Sequence, residues 1–196
     1  GTGNDKFKVT SGIDAITDLT SGGVLIVSAG ATANATEISN FTATSETSNS
    51  GTANLSSVNN GSTITLTDSS LGAYTLTGGN GIDFLTGDTD ADTLQGGGGG
   101  DTLVGGGGND LYLFNTNDVD SGELIAETVG GGTDAVVILT TTDFTNITAD
   151  SFNEIEELRF AGSSQTGIVT GAHLDGETIV LTETVSGISE LIINIA

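Results

Sequence analysis

Residues 78–113 read GGNGIDFLT, GDTDADTLQ, GGGGGDTLV, GGGGNDLYL, four tandem blocks of nine starting at 78, 87, 96 and 105. The sixth place of every block is aspartate (Asp83, Asp92, Asp101, Asp110), and the eighth is Leu85, Leu94, Leu103 or Tyr112. Thirteen of the 31 glycines lie between Gly78 and Gly108, so the repetition and not the average composition sets the local structure. Glycine at places one, two and four lets the backbone curve tightly and enter left-handed conformations that point carbonyl oxygens inward. The last four places lead into a short strand whose eighth residue faces a narrow core. If two blocks make one coil, Asp83 stacks under Asp101 and Asp92 under Asp110. A flexible-linker reading of the glycines does not account for the fixed aspartate and apolar places. A phosphate cradle is excluded, since there is no GK[ST] and no Lys or Arg between Lys8 and Arg159.

Carbonyls and carboxylates at this density form an all-oxygen donor set. That suits Ca2+, which takes about six to eight oxygens and tolerates irregular geometry. The candidate ligands are the backbone of Gly78, Asn80, Gly87, Gly96, Gly98, Gly105 and Gly107 with the carboxylates of Asp83, Asp92, Asp101 and Asp110. Asp134, in the glycine-rich GGGTDAV stretch (130–136), is added to the set, with Glu127 as a weaker companion; both also read as solvated turn carboxylates. Asp120, outside the motif, is left out.

The run resembles the RTX family, whose signature GGxGxDxUx binds calcium in a parallel β-roll. Residues 78–83, 96–101 and 105–110 carry that loop in full. Block 87–92 departs from it, with Asp88 and Asp90 in place of the second and fourth glycines, so strain or extra carboxylate ligation is expected there. GTGND (1–5) looks like the remnant of another block, with Phe7 in the apolar place, and GGGTDAV like a shortened one. The resemblance implies a right-handed all-β roll or solenoid. It implies calcium between loops two blocks apart, one site from 78–83 with 96–101 and one from 87–92 with 105–110. It also implies export by type I secretion, with folding outside the cell.

The charge supports a cation partner and excludes others. The chain of 196 residues has 26 Asp+Glu against 3 Lys+Arg, a formal charge of −23 with the single His neutral. Without basic residues to replace counterions, nucleic acid is not a partner, and anionic membrane surfaces are unfavourable for the same reason. There is no Cys, so disulfides, thiolate metal sites and thiol catalysis are impossible. A mean hydropathy of +0.10 with 35% hydrophobic residues does not fit a solvated acidic tail. The longest aliphatic runs, VLIV (24–27) and VVIL (136–139), are far short of a membrane span, and the first ten residues do not form a signal peptide. The chain reads as a segment of a longer protein.

Three regions are expected: a β-rich segment over 1–77, the roll over 78–114 and a solenoid-like segment over 115–196, forming one continuous array. The polar stretch 42–60 is the nearest thing to a linker. Strands are expected in TEISNFTATS (36–45), STITLTD (62–68), AYTLT (73–77), ELIAE (123–127), DAVVIL (134–139), ELRF (157–160), TGIVT (166–170), ETIVLT (177–182) and ELIINI (190–195). Residues 142–156 alone have a helical reading, with Ser151 and Glu154 at capping-box spacing, and a turn fits them equally.

No enzyme is expected. His173, the only histidine, lies near Asp175 and Glu177 and reads as a surface residue; no G-x-S-x-G accompanies it. Glu154, Glu156 and Glu157 form a carboxylate cluster of the kind glycosidases use, but they adjoin Arg159, and aromatic residues are only 5% of the chain. The expected function is a calcium-stabilised structural module of a secreted bacterial surface protein, in an S-layer, filament or adhesin. It would pair with other copies or with neighbouring surface-protein chains through the partial repeat at the start and the apolar strand at the end. The alternative is the calcium-binding C-terminal part of a type I-secreted protease, lipase or epimerase.

Overall fold

The computed structural model describes residues 4–58, 60–67, 72–174, 178–183 and 189–194. They form an all-β parallel solenoid of about eight coils. One sheet of nine strands runs its full length, in spatial order Val180–Glu183, Glu157–Phe160, Ala135–Ile138, Leu111–Phe114, Thr93–Gln95, Tyr74–Thr77, Thr52–Ser57, Ala31–Ile38 and Gly12–Ile16. A five-stranded sheet faces its middle: Asn40–Thr42, Thr63–Thr65, Phe84–Thr86, Thr102–Val104 and Leu124–Ile125. Three-stranded sheets close the two flanks, Lys6–Val9 with Val24–Val27 and Ser48–Asn49 at one end, and Thr142–Asp143 with Thr166–Thr170 and Glu190–Asn194 at the other. Every pairing is parallel, as successive coils of one chain require.

The strict repeat sets the narrowest part. Thr93 pairs with Thr75 on one side and Leu111 on the other, a spacing of 18 residues, so two blocks of nine make one coil. Each short strand buries only its middle residue. Leu85 therefore stacks between Ile64 and Leu103, and Leu94 between Leu76 and Tyr112, as two facing apolar columns. Outside the repeat the coils widen. The last motif aspartate, Asp110, meets its counterpart Asp134 24 residues on. The extra chain makes a third side, which aromatic residues fill: Phe114, Phe144 and Phe152 pack edge to face with centroids 5.2 and 5.6 Å apart.

Several expectations change. The polar stretch 42–60 contributes Ser48–Asn49 and Thr52–Ser57 to the sheets, so it is no linker. There Ala53 and Leu55 face the core while Asn54 donates a side-chain hydrogen bond to Asn34 Oδ1 of the previous coil (2.8 Å). Residues 142–156 hold one 3-10 turn, Ala149–Phe152, whose entry at Thr148 makes no side-chain cap; Ser151 Oγ instead accepts from the Ile125 amide (3.1 Å). His173 is buried rather than on the surface. It sits in the 3-10 turn Gly171–Leu174, stacked on Phe152, with Nδ1 accepting from the Thr170 amide (3.2 Å). Burial pushes its pKa below the ordinary value. Asp175 and Glu177 lie outside the described residues, as do Gly1–Gly3 of the leading partial block and Ile195 of the final strand.

Candidate metal centre

Each motif aspartate directly precedes a strand, so its carboxylate lies at a coil edge. Stacking the coils in register turns these positions into two columns. In the first, the amide of Asp83 donates to Asp101 Oδ1 (2.8 Å), and the amide of Asp101 donates to Glu123 Oε2 (3.0 Å). In the second, the amides of Tyr74, Asp92, Asp110 and Asp134 donate to Asp92 Oδ1, Asp110 Oδ1, Asp134 Oδ1 and Glu156 Oε2, at 2.7–2.8 Å. Each carboxylate from Asp92 onward thus closes a backbone amide one coil behind it, whereas Asp83 Oδ1 accepts from the Ser62 hydroxyl (2.8 Å). Asp83, Asp92, Asp101, Asp110, Glu123 and Asp134 are all buried.

The second oxygens separate the coils. Asp83 Oδ2 accepts from the Gly79 amide and Asp92 Oδ2 from the Asp88 amide, both at 2.9 Å. In the next coil, Asp101 Oδ2 and Asp110 Oδ2 are buried with no hydrogen-bond partner among the described residues, and so are Glu123 Oε1 and Glu127 Oε1. The loops differ in the same way. Gly97, Gly99, Gly106 and Gly108, at places two and four of the blocks starting at 96 and 105, take φ between 95° and 123°, which only glycine adopts readily. Gly96 and Gly105, at place one, lie against the unpartnered carboxylate oxygens of Asp101 and Asp110 and leave no room for a Cβ. The loops of successive coils are tied from place three to place two, the Gly98 and Gly107 amides donating to the carbonyls of Gly79 and Asp88 (2.9 and 2.8 Å).

The block starting at 87 is not strained at its odd residues, since neither Asp88 nor Asp90 has a left-handed φ. Their carboxylates turn to the chain's own amides. Asp88 Oδ1 accepts from Asp90 and Asp90 Oδ2 from Gly72, both at 2.8 Å.

With no basic residue near, burial dominates the electrostatics. It pushes Asp92 up to about 7, Asp101 and Asp110 to about 6, Glu127 to about 8 and Glu123 to about 9. Asp134 is also raised, by burial first and then by the neighbouring Glu156 charge. Hydrogen bonds from backbone amides oppose these shifts, and neighbouring carboxylates add to them. Hard oxygens left bare in a buried, negative setting fit a divalent cation, which would supply both the missing partner and the missing charge.

The columns hold the motif aspartates together with residues the spacing did not reveal. Asp134 falls in line, and Glu127 joins it: Asp110, Glu127 and Asp134 each offer an oxygen within 4.8 Å of the others. Glu123 and Glu156 belong to the columns although neither lies in a block of nine. A signal for them exists, an acid two residues before an inward apolar side chain: Glu123 before Ile125, Asp134 before Val136, Glu156 before Leu158. Glu156 is thereby separated from its sequence neighbours, since Glu157 chelates Arg159 (3.1 and 2.5 Å) and Glu154 sits in a left-handed turn. Asp120 is not a bystander either, because its Oδ2 accepts from the Gly99 amide (3.0 Å). Asn80, at place three of its loop, is exposed.

Residues 77–112 match the family model of the RTX calcium-binding nonapeptide repeat, in four copies. No curated protein and no solved structure matches the chain. The chain thus carries a four-copy RTX calcium-binding β-roll built into a longer parallel β-solenoid.

Proposed function

We propose that this chain is a calcium-rigidified structural module of a secreted bacterial surface protein and that it associates with other copies of itself. The observation that carries this reading is the pair of carboxylate columns with buried, unpartnered oxygens inside the roll. Such columns oppose the compact state until a cation enters them. The proposed ligands are the loop backbones of Gly78, Asn80, Gly87, Gly96, Gly98, Gly105 and Gly107 with Asp83, Asp92, Asp101 and Asp110. RTX arrays typify type I-secreted proteins that meet high calcium only outside the cell, and among the described residues no helix is long and apolar enough to cross a membrane. The proposal of a structural rather than catalytic role rests on what the acidic groups do: they ladder the coils together. Association is supported by Leu181 and Ile193, 53% and 46% exposed, which line an open apolar hollow with Ile179 and Leu191. Calcium would be needed there too, because a charge of −23 repels neighbouring copies.

Circular dichroism and light scattering of the purified chain test both parts. Strand signal is expected to rise from EGTA to millimolar Ca2+ by the share of the roll, and Mg2+ to substitute poorly because it keeps its waters and demands octahedral geometry. Scattering is expected to rise with Ca2+ and to reverse with chelator. Equal β content in both conditions would overturn the calcium-held module, and a strictly monomeric species in calcium would overturn self-association.

A further inference from the structure

The matched repeat ends at residue 112, yet the bare oxygens do not. Two of the four belong to Glu123 and Glu127, in the wider coil that follows the roll. Asp110 is fully buried, and its Oδ1 is already engaged by the Asp92 amide while its Oδ2 has no partner. Facing it are Asp134, whose Oδ1 takes the Asp110 amide, and half-buried Glu127, whose Oε2 accepts from the adjacent Thr128 amide at 3.2 Å. The three carboxylates converge within 4.8 Å, and there is no Lys or Arg between Lys8 and Arg159 to balance them.

We propose that Asp110, Glu127 and Asp134 form a separate calcium site at the exit of the roll, completed by side chains outside the nonapeptide array. The inference rests on the calcium-binding reading above and extends it to a site with a different donor set, three carboxylates and not one carboxylate per glycine loop. Its place explains a feature of the fold. Here the coil lengthens from 18 to 24 residues, and the chain between Asp110 and Asp134 must leave the column and return to it. Glu127 reaches back from that added chain, so an ion held by all three residues would clamp the wider coil onto the roll. The charge of three carboxylates favours a hard divalent cation, and the uneven reach of Asp and Glu favours Ca2+ over the compact octahedron of Mg2+.

Calcium titration by calorimetry on the full chain, wild type against Glu127→Gln and Asp134→Asn, tests this. Both substitutions keep side-chain size and an acceptor oxygen. Each variant is expected to take up one ion fewer than wild type, or to bind one ion at least about tenfold more weakly. Thermal melts in EGTA supply the second readout. Removing a buried like charge should leave each variant as stable as wild type or more so without metal, and less stable with it. Unchanged stoichiometry and affinity in both variants would overturn the exit site and leave the calcium-binding roll standing. Destabilisation in EGTA equal to that in calcium would also overturn it, by assigning these residues a purely structural part. No calcium uptake by the wild type would overturn the site and the functional reading together.

Discussion

The roll and the coils that flank it share one nine-stranded sheet but are held by different forces. In the roll each three-residue strand buries a single leucine, and the coil edges bury carboxylates. In the coil after it, Ala135, Val136, Val137 and Ile138 are all buried, and Phe114, Phe144 and Phe152 fill the added side. The coils before it use small residues, Ala31, Ala33, Ala35 and Ala53, under Leu55 and Phe41. A coil of 18 residues has too little interior to pack itself and must be stabilised at its edges; a coil of 22 to 24 residues can enclose aromatic rings. One backbone path thus passes from coils edged by buried carboxylates to coils filled by apolar side chains without a change of sheet.

The sharpest way to break the comparison is to remove calcium and read hydrogen exchange residue by residue. Amides of the roll should lose protection by about 100-fold per site at a hundredfold excess of ion over Kd, while Ala135–Ile138 and Ala31–Ile38 change little. Uniform loss along the chain would mean that the flanks depend on the roll. Next in size is pH. In EGTA the folded chain holds protons on Glu127 and Glu123, in the coil after the roll, raised to about 8 and 9, that the unfolded chain releases near 4.5. The folded state therefore binds more protons across that window, and stability should fall as pH rises from about 4.5 to about 9. Saturating calcium should abolish the fall, because the ion requires the charged form; urea melts at a series of pH values measure both.

Third, Phe144→Ala should cost about 3–5 kcal/mol, and by the same amount in calcium and in chelator, since it empties the aromatic side of a flank coil. A calcium-dependent cost would blur the division. Smallest is a pair of aspartates. Asp101→Ala leaves the buried Asp83 amide without its acceptor, costing about 1–3 kcal/mol, and should also weaken calcium uptake. Asp14→Ala, on an exposed strand position, should stay within about 0.5 kcal/mol. Equal effects from these two would count against the column register.

The nonapeptides made the coil legible because their period is an integer fraction of it: nine residues per side set Asp83 against Asp101 and Leu85 against Leu103. Strand positions such as Glu157–Phe160 and Thr166–Thr170 followed from alternation. The flanks hid more because their coil length varies. Glu123 and Glu156 lie 22 residues past their column partners, so no fixed spacing points to them. Thr52–Ser57 was obscured by composition, since a solenoid strand can be made from Ala, Asn and Ser when its outward residues ladder with the coil before, as Asn54 does with Asn34. His173 looked like surface because its neighbours in sequence are polar, whereas its burial comes from Phe152, 21 positions away.

The carboxylate columns have a polarity. Among the described residues, every link along them runs from an amide in one coil to an acid in the coil that follows. Each finished coil therefore presents the next with donors awaiting an acceptor, and a newly added coil arrives carrying it. Cutting the stack is accordingly unequal in its two directions. Loss of a later coil takes the acceptors from N–H groups, which no calcium ion can replace, while loss of an earlier one frees carboxylate oxygens that a cation can still take up. Such an array tolerates erosion from its leading side better than from its trailing side.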